Sequence, residues 1–215
     1  MTNDGILAIW HDVGEEIGDD YERWYFQEHL PERVGVPGFV AGRRYEAVAG
    51  APRFLTYYEG ESPQIFVSKP YLDRLNDPTP WSTSVLRHFR DTNRTICRRT
   101  WDAGTIRGAW GTAIRVNRDD GEGGATADTV AALRTLGRAW ADDWWTLRVE
   151  IWTREEVPPP AKTAEAELRT APDRYIEAAV FGHFAREKDA RTAAEARVAG
   201  GETGIYRLLC ELRGD

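Results

Sequence analysis

The chain has 215 residues, room for one large domain or two small ones. A net charge of −7 and a pI near 5.3 argue against a general binder of nucleic acid or anionic membranes, since both need a basic footprint. Only 41% of the residues are hydrophobic, but nine Trp, eight Tyr and seven Phe bring enough large side chains to fill a core.

The N-terminal stretch MTNDGILAIWHDV has no basic leader and a short apolar run, so no secretory signal is expected. No segment approaches the roughly 18 apolar residues of a membrane span. Without an export signal, Cys97 and Cys210 are expected as reduced thiols, in a soluble, cytoplasmic protein.

Gly5 to His11 reads as a short strand. Asp19 to about Gly35 reads as a helix, with Asp19 as cap and Glu22 completing a capping box. Gly38–Ala47 and Pro52–Glu59 read as strands joined by the turn-forming run VAGAP. Helical pieces from about Ser62 to Leu75 and from Pro80 to Arg90 follow, and a strand from about Arg94 to Asp102 closes the unit. This order, βαββαβ, is the ferredoxin-like arrangement.

The second half repeats it. Ile106–Asn117 reads as a strand, DDGEGG (119–124) as a loop and Ala125–Ala139 as a helix. Trp144–Thr153 is a strand, followed by a long connection that starts with the rigid PPP at 158–160 and contains a short helix. Strand Arg174–Phe184, helix Arg186–Val198 and strand Gly204–Arg213 complete the order. Strand side chains alternate between faces. Trp145, Leu147, Val149 and Ile151 are expected to cover helices, with Arg148, Glu150 and Trp152 opposite. By the same pattern Tyr206, Leu208, Cys210 and Leu212 are assigned to the helix side. His183, alternating with Phe181 and Ala179, is expected to face helices as well.

One ferredoxin-like unit leaves a sheet face bare, and two units in one chain can cover each other. The fold class expected is therefore α+β, with two tandem ferredoxin-like units (1–103 and 104–215) whose antiparallel sheets face each other as an intrachain barrel.

The first half, with WYFQEHLPERVGVPGF at 24–39, GRRYEA at 42–47 and PRFLTYYEG at 52–60, resembles the EthD-like members of the dimeric α+β barrel superfamily. From 105 onward the resemblance rests on element order. It implies a barrel with an interior pocket for a small, mostly hydrophobic ligand of aromatic or polyketide-like kind. The superfamily includes cofactor-free monooxygenases, lactone isomerases, polyketide cyclases and haem enzymes, so a cofactor-free oxygenase, isomerase or cyclase is the activity implied. A homodimer is left open. A non-catalytic assembly module with a filled barrel is the rival expectation.

Tyr21, Trp24, Tyr25, Glu28 and His29 share one helical face. Pro31 lacks an N–H and disfavours helical angles at Leu30, so the helix should end or kink near His29. A helix C-terminus and the neighbouring Glu28 both favour the protonated form of His29, and a histidine held near neutrality inside an aromatic pocket could serve as general acid or base. The plain structural reading is that Glu28 and His29 satisfy carbonyls freed by the kink. Arg33 is expected to pair with Glu28 or Glu32, ordinary surface chemistry unless the pocket takes an acidic ligand.

The remaining ligand-binding candidates are Trp24, Tyr25, Glu28, Arg44, Tyr45, Tyr57, Trp81 and His88; interior Arg–Glu pairs that merely fill the barrel are the alternative for the charged ones. His11 is placed at a strand end near a rim. Four histidines with neither metal-ligand spacing nor a cysteine pair give no metal site. No cofactor is expected, although a haem version, needing one axial histidine and a large apolar cavity, stays open.

Overall fold

The computed structural model describes residues 3–118, 127–157, 162–169 and 171–214. The DDGEGG run and the PPP spacer lie outside them. Eight strands form among the described residues: β1 (Gly5–Val13), β2 (Phe39–Ala49), β3 (Phe54–Gly60), β4 (Phe89–Gly104), β5 (Trp110–Asn117), β6 (Thr146–Arg154), β7 (Ile176–Phe184) and β8 (Gly201–Arg213). The helices are α1 (Gly18–Trp24), α2 (Leu30–Val34), α3 (Lys69–Asn76), α4 (Pro80–Leu86), α5 (Ala127–Asp142), α6 (Ala164–Leu168) and α7 (Glu187–Ala193).

The strands close into one antiparallel barrel in the order β1-β3-β2-β8-β5-β7-β6-β4. Among β1–β4 the first and third strands are central, and the same holds among β5–β8. That is the ferredoxin-like order twice. Two seams join the halves, β2 with β8 and β4 with β6, so each sheet edge is used up in pairing. The α+β class expected from the sequence is the observed one.

Three hydrophobic clusters follow from strand alternation. Inside the barrel, Trp10, Tyr45, Tyr57, Trp152, Phe181 and Tyr206 are fully buried. Trp152 stacks on Phe181 with ring centroids 5.3 Å apart, and Tyr57 lies 4.9 Å from Trp152. On the outside, α1, α2, α3 and α4 cover the first sheet, while α5 and α7 cover β5, β6 and β7. Val149 and Ile151 face α5 and its surroundings, with Arg148, Glu150 and Trp152 inside, as their alternation requires.

Strand β8 departs from the expected alternation. The pairing of β2 with β8 slips between Arg44 and Tyr45, so Leu209 is bulged out of the ladder. Tyr206 and Leu208 therefore pack inside the barrel, Ile205 faces the second-half helices, and Cys210 reaches the first-half helical layer. His183 also points inward. It is fully buried beside Phe181, 3.9 Å from Glu150, and neither ring nitrogen has a partner.

Gly42 on β2 lets α2 sit close to the sheet. A Cβ there would come within 2.6 Å of Leu30 Cδ1 and 3.0 Å of the Tyr58 ring. Gly42→Val is expected to destabilise the protein by about 1–3 kcal/mol through overpacking, measured as a lower urea midpoint with unchanged slope.

Candidate functional site

The helix at residues 18–34 does not stop at Pro31. It continues through a wide π-helical turn, Tyr25–His29, into α2. Leu30 N–H donates to the carbonyl of Tyr25, five residues back. A regular turn would set the proline ring against the carbonyl four residues earlier, and the wide turn gives it room. Nor is there an Asp19 capping box: the helix begins at Gly18 without a side-chain cap, and Glu22 is committed to Arg44.

The wide turn separates Glu28 from His29. Glu28 accepts from Thr79 Oγ1 at 2.5 Å and from Ser82 Oγ at 3.2 Å, tying the turn to α4. His29 instead lies under Trp24, centroids 4.2 Å apart, and is buried with Nδ1 unpartnered. Burial, followed by the nearby Arg33, His11 and Arg44, holds its pKa well below the usual imidazole value. The push toward the protonated form expected from a helix C-terminus and Glu28 is thus overturned: burial favours the neutral imidazole.

His29 lines a cavity of about 310 Å³ between the outer faces of β1, β3 and β4 and the helices α2, α3, α4 and α6. Its apolar wall includes Ile9, Phe66, Leu75 and Phe89, and its polar wall includes Arg33, Tyr58, Tyr71, Arg94 and Glu165. Arg33 Nη2 donates to Glu165, both buried, while Arg33 Nη1 has no partner. The Tyr58 hydroxyl, beside that of Tyr25, makes no hydrogen bond of good geometry, and burial raises its pKa well above the ordinary phenol value. Three lining side chains therefore carry unused hydrogen-bonding atoms.

Of the nine site residues expected from sequence, only His29 lines this cavity. Trp24 donates to Ser82 Oγ at 3.0 Å and Tyr25 to Thr56 Oγ1 at 2.7 Å, which fixes both as packing groups behind His29. Arg44 is held by Glu22 at 2.6 and 2.8 Å and lies over Tyr25 and Phe54, on the outer face of β2. Tyr45 and Tyr57 are on the opposite side of the sheet, inside the barrel. Trp81 donates to Asp20, and the partly exposed His88 bonds Glu16 at 2.8 Å. His11, expected near a rim, is fully buried and 2.8 Å from the Tyr21 hydroxyl.

The barrel interior, where the resemblance sets a ligand, is occupied by protein. Aromatic rings fill its middle. Toward the Gly5 end, Glu150 and Glu59 are surrounded by Arg43, Arg99, Arg107 and Arg148. Desolvation opposes the charge on Glu150, but His183 and the arginines outweigh it and bring its pKa down to about 2.

Among solved structures, an anthrone oxidase-like protein superposes with a TM-score of 0.58 and 7% identity, over 97% of this chain and 92% of that one. A provisionally named monooxygenase from Fusobacterium nucleatum subsp. nucleatum gives 0.55 and 9%, over 99% and 96%. Another, from Lactobacillus acidophilus, gives 0.54 and 8%, over 98% and 96%. The shared fold is an α+β barrel of two ferredoxin-like sheets, closed here within one chain. At such identities the likeness is one of fold. No protein-family model matches the chain, and neither does any curated protein.

Two properties of this α+β barrel bear on cofactors. Among the described residues no group of three or more His, Cys, Asp or Glu is placed to hold a metal ion. The cavity at His29 is near the lower end of the about 300–1,000 Å³ typical of ligand pockets. With a buried Arg33–Glu165 pair on its wall, it does not fit a haem, which needs a large apolar slot. No described helix is long and apolar enough to cross a membrane.

Proposed function

We propose that the cavity outside the first-half sheet binds a small, mostly hydrophobic molecule of aromatic or polyketide-like kind, and that His29 acts on it as general base. One observation carries this reading: a neutral, buried imidazole, its Nδ1 without a hydrogen-bond partner, in a residue that lines a cavity of small-molecule size. A neutral imidazole can accept a proton from an acidic C–H or O–H when the anion formed beside it offsets the new charge. Tyr58 lines the same cavity, and a turn of its hydroxyl away from Tyr25 would supply a donor to a substrate carbonyl. Proton removal next to a carbonyl is a step shared by cofactor-free oxygenation, isomerisation and cyclisation. The neighbours' names, anthrone oxidase-like and monooxygenase, support putting oxygenation first.

Anthrone is the natural probe. His29→Ala is expected to slow anthrone consumption by about 10²–10⁴-fold in a protein that still unfolds cooperatively in urea. In the wild type, the ring ¹⁵N shifts of His29 should report neutral imidazole down to pH 5.5 and move on adding anthrone. An imidazole that titrates normally and ignores anthrone defeats the reading. The rival, a non-catalytic assembly module, draws support from the filled barrel and predicts a His29 that ignores anthrone.

A further inference from the structure

We infer that this cavity selects an anion: an aromatic or polyketide-like carboxylic acid whose carboxylate is received by Arg33 and Arg94. The inference deepens the ligand-site reading above and rests on it.

Charge is the first ground. The described lining residues hold four cations, Arg33, Arg94, Lys162 and Arg169, against two carboxylates, Glu165 and Asp173. This excess of positive charge sits in a chain whose net charge is −7. A cavity walled by protein focuses such a field on whatever enters it.

Unmet bonding capacity is the second. Arg33 is 2% exposed and spends Nη2 on Glu165, which leaves the N–H groups of Nη1 without an acceptor. A buried guanidinium N–H left idle is costly, and a ligand oxygen reaching Nη1 through a small shift of the Arg33 side chain would satisfy it. Arg94 donates from Nη2 to Tyr71 Oη at 3.1 Å, and among the described residues it has no carboxylate in salt-bridge contact. Arg169, by contrast, is fully engaged, with Asp173 at 2.7 and 2.8 Å.

Placement is the third. The guanidinium carbons of Arg33 and Arg94 lie 5.9 and 6.0 Å from the centroid of the same ring, Tyr71. Two planar forks beside one ring suit a planar carboxylate joined to an aromatic body, and Tyr58, Phe66 and Phe89 supply the apolar walls for that body. The second half of the chain completes the site, because α6 brings Glu165 against Arg33 and packs on α3 and α4. Glu165 is then a built-in competitor for Arg33, set where the ligand's carboxylate would bind.

The test uses benzoate, 2-naphthoate and anthracene-2-carboxylate, each beside its neutral carboxamide, with inorganic phosphate as a further probe. Affinities are read by calorimetry and by the His29 ring shifts. At least one acid should bind about tenfold or more tighter than its amide. Glu165→Gln should raise acid affinity severalfold, a gain that a purely structural ion pair would not give. The double variant Arg33→Gln/Glu165→Gln, which leaves no buried charge alone, should bring acid and amide within about twofold while amide affinity holds. Arg94→Gln should remove part of the preference in a side chain less buried than Arg33. Amides that bind as well as acids and shift His29 would overturn anion selection and leave the ligand site standing. Phosphate that displaces the acids at equal concentration would replace the carboxylic acid with a generic anion. If no acid or amide binds or moves His29, both readings fall together.

Discussion

Stability is expected to fall by about 4 kcal/mol for each pH unit below about 6.5, because three buried histidines stay neutral in the fold and would each take a proton once unfolded. His11 and His183 are pushed by burial down to about 3, and His29 is held well below its usual value. Arg44 adds to the effect at His11, whereas Glu150 opposes burial at His183 without overcoming it. Each folded-state value is depressed, so the unfolded chain binds more protons below 6.5. The stability of the neutral forms is whole above that pH and is lost as pH falls toward about 3. His11 and His183 each contribute about 1.4 kcal/mol per pH unit across that window, and His29 adds the same for as far below 6.5 as it stays neutral. An ordinary margin of about 5–15 kcal/mol would then be spent between roughly pH 5 and 3.

Glu150 extends the loss. Its pKa is depressed to about 2, so its contribution is whole above about 4.5 and disappears below that. Urea unfolding from pH 8 to 5 checks the slope, and His11→Gln, His29→Gln and His183→Gln should each lower it by about one third. A flat profile across that range would mean that the histidines are not held neutral. The same measurement bears on function, since a His29 able to charge freely at pH 6 would lose the property that suits it to act as a base.

The barrel was legible because its rules are local. Alternation at Val149, Glu150, Ile151 and Trp152 assigns two faces correctly, and the order of strands and helices predicts two ferredoxin-like sheets. Where one residue is added to the ladder, at Leu209, the same rule assigns Tyr206 to the wrong side. The site was less legible for the same kind of reason. Tyr57 and Tyr58 are adjacent aromatics on a strand buried on both faces, and only the tertiary packing shows that Tyr58 is the one at the cavity. The π turn breaks the 3.6-residue phase that placed Glu28 and His29 together. Arg33 was visible as a conditional candidate, but its partner Glu165 lies 132 positions away, beyond any motif spacing.

Glu150→Gln is expected to destabilise the protein by about 3–5 kcal/mol while leaving the cavity intact. Glu150 is fully buried and accepts from Arg148 Nε at 2.6 Å and Trp152 Nε1 at 2.9 Å, with Arg99 and Arg107 both 3.5 Å away. Glutamine keeps the shape and removes the charge, so Arg148 loses its buried counter-charge while Arg99 and Arg107 retain only Glu59. Replacing the pair together, Arg148→Met with Glu150→Leu, should cost less than the single change, because Arg148 is then no longer left without its buried counter-charge, while Arg99 and Arg107 still share Glu59. Equilibrium urea unfolding of the three proteins measures both effects. Because the Glu150 side chain is inside the barrel and His29 is outside the sheet, probe affinity at the cavity should be unchanged wherever Glu150→Gln remains folded. A loss below about 1 kcal/mol would show that the interior charges are not needed to fill the barrel. Probe binding abolished in a folded Glu150→Gln protein would move the ligand site from the helical face into the barrel.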